Sequence, residues 1–164
     1  MPKEIAGTFD NIRDQELLRR DFFRKHYDQE TGEWSFNTFQ LRDLTPPENF
    51  VSLARVIIAP DAVEYAKKVY SSGRLKKIAG YTQLKAREVR ALETAPLEIA
   101  LLTTDFAENA HAGLYAWNED GLLIEGSVEN PNILRLKKDL FCLALPTYTD
   151  YPKGAFTAEE GSVL

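Results

Sequence analysis

Between residues 10 and 28 the chain reads "DNIRDQELLRRDFFRKHYD", which sets Ile12, Leu17, Leu18, Phe22 and Phe23 at near-helical spacings on a charged background. An apolar residue every three to four positions marks one face of a helix, so an amphipathic helix is expected here, closed by Gly32. "EWSFNTFQLRDL" then alternates Trp34, Phe36, Phe39 and Leu41 imperfectly, with aromatic side chains that suit a strand. The two prolines of "TPPENF" break the chain, because each removes a backbone donor and restricts the residue before it. "FVSLARVIIA", residues 50–59, predicts a second strand that ends at Pro60-Asp61, where the next helix starts.

From Asp61 onward the pattern is helical. "DAVEYAKKVYSSG" runs to Gly73, "RLKKIAGYT" follows, and "QLKAREVRALET" reaches the Pro96 boundary, while "PLEIALLTT" fits a helix or a strand. In "DFAENAHAGLYAWNEDG" Asp105 and Glu108 have the form of a capping box, and Phe106, Ala110, Leu114 and Trp117 recur at helical spacing, which predicts a helix ending near Gly121. "LLIEGSV" predicts one more strand, and "NPNILRLKKDLFCLAL" a last helix entered through Pro131. The expected fold is a single α+β domain, predominantly helical: an N-terminal helix and small sheet over 1–60, a central three-helix unit over 61–95, a helical half over 96–145 and a loosely ordered tail over 146–164.

At 164 residues the chain is long enough for one core, with roughly 70% of the unfolded surface buried. Its longest apolar stretches fall well short of the roughly 20 residues a membrane helix needs, so no membrane segment is expected. "MPKEIAGTFDNIRDQE" turns polar and acidic where a signal peptide would become apolar, and the single cysteine, Cys142, has no partner for an internal disulfide. Both features predict a cytoplasmic protein. Cys142, between Phe141 and Leu143, is expected to behave as a small buried hydrophobe. Nothing has the pattern of a nucleotide, haem or zinc site, and no cofactor is expected.

One stretch stands apart chemically. In "LKKIAGYTQLKAREVRALE" the small Ala79 is followed ten residues later by the branched Val89, with Ile78, Leu84 and Leu92 completing an apolar set and Thr82 opening a turn region. At this spacing residues 75–92 resemble the helix-turn-helix motif of DNA-binding regulators, in which a second helix crosses closely over a small residue of the first. Gln83 stands where that turn usually has glycine, a departure that costs on the order of 1 kcal/mol. The resemblance implies a recognition helix starting near Gln83 and carrying Lys85, Ala86, Arg87, Arg90 and Ala91 outward, with double-stranded DNA as partner and a homodimer as the binding form.

Charge points the same way. Residues 67–90 hold eight basic side chains and one acid, Glu88, so this segment carries +7 and the other 140 residues −12 of a net −5. Such asymmetry suits a phosphate-binding surface, and Arg74, Lys76, Lys77, Lys85, Arg87 and Arg90 are the expected DNA contacts of a transcriptional regulator. The same strip fits an acidic protein partner, which makes an interaction module the alternative. A third reading is a small enzyme. Glu108 and His111, three residues apart, form half of a carboxylate di-metal pattern whose other half the chain lacks, so capping by Asp105 and Glu108 is the favoured account of that segment.

Overall fold

A computed structural model describes residues 5–28, 30–31, 33–39, 48–126, 130–144 and 147–148. Its strands are β1 (Thr8–Phe9), β2 (Leu17–Phe23), β3 (Val51–Arg55), β4 (Ile78–Lys85), β5 (Glu98–Thr104), β6 (His111–Trp117) and β7 (Thr147–Tyr148). They form one sheet in the order β1-β5-β6-β3-β2-β4-β7, every neighbouring pair antiparallel. The helices are α1 (Ala62–Val69), α2 (Ser72–Leu75), α3 (Ala86–Arg90) and α4 (Pro131–Leu143), with 3-10 turns at Arg24–His26 and Phe36–Phe39. The expectation of a predominantly helical fold around a three-helix unit is therefore overturned: an antiparallel sheet is the framework, and of the described α-helices α1, α2 and α3 have eight residues or fewer.

The stretch that resembles a helix-turn-helix is mostly a strand. Ile78, Gly80, Thr82 and Leu84 are buried and the residues between them half-buried, which is the two-residue period of a pleated chain. Thr and Tyr favour that conformation, and Gly80 would weaken a helix interior. Leu75 closes α2, and beyond the strand only Ala86–Arg90 coils, as a single turn seated by Ala86 and Val89 in the main core.

The N-terminal stretch is likewise extended. Leu18 and Phe22 lie four apart, a spacing shared by one helix face and one strand face, and the strand is adopted because β2 pairs with β4 from Leu17↔Lys85 to Phe23↔Ile78. The segment 105–121 is a left-handed turn at Ala107, Glu108 and Asn109 (φ 55°, 59° and 68°) leading into β6, and not a capped helix. Every residue of β6 is buried, so no alternation betrays the strand. Of "LLIEGSV", Leu123 makes an isolated bridge to Trp117, and residues 127 and 128 lie outside the described set.

Several expectations hold. β3 lies within residues 50–59, and Asp61 starts α1, its Oδ1 accepting from the N–H groups of Val63 (3.0 Å) and Glu64 (3.1 Å). Asn130 caps α4 through Asn132 N–H (2.8 Å) with Pro131 in the first turn, and "PLEIALLTT" resolves to β5. Cys142 is exposed on α4, contrary to the buried position expected. Of the tail, Thr147–Tyr148 pair with Tyr81 and Thr82, and the rest lies outside the described residues, as do Gly32 and Leu41. None of the described helices is long and apolar enough to cross a membrane.

Directly paired residues share a face of the sheet. One face carries Leu18, Leu84, Leu53, Leu101, Ala112 and Leu114 and packs on α3 and α4 through Val89, Leu136 and Leu140. The opposite face is chemically richer, because pairing sets Gln83, Arg19, Ala54 and His111 in one row across β4, β2, β3 and β6. α1 covers part of it through Tyr65, packed with Ala54 and Ala110.

Candidate functional site

The six basic residues expected to form one surface are divided between the two ends of β4. Lys85, Arg87 and Arg90 stand at its C-terminal end, where the Arg90 guanidinium donates to Asp14 Oδ1 (2.7 Å) and to the Ile12 carbonyl (2.6 Å). Arg74, Lys76 and Lys77 stand at the other end, roughly 25 Å away along the strand. No recognition helix unites them.

At the N-terminal end the fold recruits two cations from a distant part of the chain. Arg24 N–H donates to the Lys77 carbonyl (2.9 Å) and its guanidinium to the Lys76 carbonyl, which brings Arg24 and Lys25 against Lys76 and Lys77. All four are exposed. Arg74 lies beside them with its guanidinium carbon 4.6 Å from the Phe23 ring centre and 5.0 Å from that of Tyr70, a planar cation laid on aromatic rings.

Arg24 and Lys25 also line an open groove of about 940 Å³. Half-buried Tyr27, Trp34, Phe36 and Phe141 make its wall. Trp34 is fixed by stacking on Phe22 (5.3 Å) and by contact with Phe141 (4.6 Å), and the ammonium groups of Lys137 and Lys138 sit 5.7 and 5.5 Å from the Phe36 ring centre. Asp28, Glu30 and Glu33 line the groove as well, and their charge opposes phosphate. Burial, with help from the charges of Lys25 and Arg20, lowers the pKa of His26 in this wall. Sequence patterning missed Arg24 and Lys25 because they sit in a segment read as a solvated helix. Their only signal was the run "RKH" directly after the Phe22-Phe23 pair.

A second cluster lies on the opposite-face row at His111. Its Nε2 is 2.9 Å from Ser52 Oγ of β3 and its Nδ1 3.1 Å from Thr104 Oγ1 of β5, while Phe50 and Phe106 meet the ring edge-on at 5.4 and 5.8 Å. Phe50 reaches this place by resting on Gly113, where a Cβ would come within 3.1 Å of the Phe50 Cβ and 2.8 Å of Tyr115 Cε2. Burial lowers the His111 pKa, against a smaller opposing pull from Glu48, so the ring is held neutral. Both ring nitrogens are engaged by hydroxyls, and the third partner is Thr104 where an acid–base triad would have a carboxylate. His111 thus works as a bracket joining three strands. Glu108 does not share a helix face with it: its side chain is 86% exposed and pairs with Lys68 at 3.2 Å.

Near this row two arginines are buried differently. Arg55 is clasped by Glu16, Nε to Oε1 and Nη2 to Oε2, each 2.8 Å. Burial raises the Glu16 pKa, but the Arg55 fork, the Arg13 N–H and the charge of Arg55 together hold it below the usual carboxylate value. Arg19 has no such clasp. No protein-family model, curated protein or solved structure matches the chain.

Proposed function

We propose that the protein binds nucleic acid, and single strands in preference to duplexes, across the groove bounded by Arg24, Lys25, Trp34 and Phe36. The observation that carries this is the meeting of exposed cations from separate segments beside half-buried aromatic rings. Binders of single strands combine a basic track for the backbone with π-faces for the bases, and stacking is worth roughly 1–3 kcal/mol per base. The phosphates run along Arg24, Lys25, Lys76 and Lys77, away from Asp28, Glu30 and Glu33, and a base enters against Tyr27 or Phe36. The double-stranded partner implied by the helix-turn-helix resemblance loses its means of contact, since the segment that would enter a major groove is a paired strand.

Fluorescence anisotropy with a labelled 20-nucleotide thymidine strand and the matching duplex tests this. The strand binds more tightly than the duplex, quenches tryptophan emission, and weakens with a log–log salt slope of about −2 to −3, as expected for roughly four phosphates neutralised at about 0.7 each. Equal binding to poly-glutamate without tryptophan quenching would transfer the groove to an acidic protein partner.

A further inference from the structure

We infer that Arg19 anchors a second, buried site that takes one singly charged oxyanion, a carboxylate or a phosphoryl group. Arg19 is 3% exposed at the centre of β2. Its Nη1 donates to the Ala59 carbonyl (2.9 Å), but Nε and Nη2 are buried without any hydrogen-bond partner. Those two N–H groups lie parallel along one edge of the guanidinium, at the spacing of two oxygens of a carboxylate or phosphate. On the neighbouring strand the corresponding edge of Arg55 is filled in that way by Glu16. Buried polar groups are nearly always paired, so two unbonded N–H groups side by side on one edge of this guanidinium point to a partner that accepts from both.

The surroundings fit an anion. The Tyr65 and Tyr81 ring centres lie 5.4 and 5.9 Å from the guanidinium carbon, enclosing its flanks without accepting along the fork. Tyr65 and Ala59 also line a cavity of about 500 Å³ beside α1, together with Lys67 and Lys68 and the carboxylates of Asp61, Glu64 and Glu108, so the fork and not the cavity carries the preference for an anion. Tyr65 is therefore shared between the cavity lining and the flank of the guanidinium. Asp21 is two residues along the same face, buried, with its carboxylate hydrogen-bonded to the Tyr70 hydroxyl. Its charge disfavours a doubly charged ligand, which is why the site takes a singly charged one.

Sodium acetate and sodium phosphate near pH 6, each compared with sodium chloride at matched ionic strength, test the inference through two readouts: thermal unfolding and the ¹H–¹⁵N resonance of Arg19 Nε–H. At about ten times its Kd the preferred anion raises Tm by roughly 3–6 °C and shifts that resonance, and the salt that acts identifies the source as carboxylate or phosphate. Arg19→Lys keeps the charge, loses the fork and abolishes both responses. Lys76→Ala with Lys77→Ala leaves both intact, because those cations lie at the surface groove. A resonance unmoved by either salt, or a Tm response that survives Arg19→Lys, overturns the assignment.

Discussion

His111 shows how far a single side chain can be read in advance. Its chemistry was legible: one of two histidines, near an acid, inside an apolar run. Its partners were not, because Ser52 and Thr104 come from strands whose pairing is a long-range property. The fold gives it a measurable pH signature. A buried imidazole with a lowered pKa binds fewer protons in the folded state than in the unfolded chain, so its contribution is complete above the unfolded value of about 6.5 and is lost as pH falls toward the folded value. His26 acts in the same direction, and Glu16, also lowered, adds its share only at more acidic pH, below the ordinary carboxylate value. Urea denaturation between pH 8 and pH 5 is expected to show stability declining below about pH 6.5, with a shallower decline in His111→Asn. An unchanged slope in that variant would mean that His111 is not held neutral.

At the scale of elements, periodicity succeeded where only one period was possible. α4 declared itself through Asn130, Pro131 and thirteen helical residues, and α1 through Asp61. It failed for β2, whose Leu18 and Phe22 satisfy both periods and whose central Arg19 and Asp21 imitate a solvated helix face while being buried. It failed for β4 because Ile78, Ala79, Leu84 and Val89 fit a helix pair as well as a strand followed by one turn. β6 was hidden because both its faces are covered. Gly113 carries the clearest element-scale prediction, since Phe50 of the segment leading into β3 packs directly on it. A Cβ there meets the Phe50 Cβ, which moves only with its backbone, so Gly113→Ala is expected to cost roughly 1–3 kcal/mol in chemical denaturation. A neutral outcome would show that β3 and β6 do not approach as closely as described.

Across the whole molecule, the charge asymmetry was visible in the sequence but its arrangement was not. A +7 segment reads as one surface only if it is compact, and extending residues 78–85 as a strand places its two halves at opposite ends of the sheet. In one half Arg90 is held by Asp14, while the other half gains Arg24 and Lys25 and the aromatic groove. The decisive comparison is therefore between the ends. Single-strand affinity is to be measured by anisotropy across a salt series for Lys25→Ala/Lys76→Ala/Lys77→Ala and for Lys85→Ala/Arg87→Ala. Removing the first set is expected to weaken binding at least tenfold at low salt and to lower the salt slope by about 2, while removing the second leaves both near wild type. Equal losses from the two ends, or a loss from Lys85 and Arg87 alone, would contradict the groove as the binding surface.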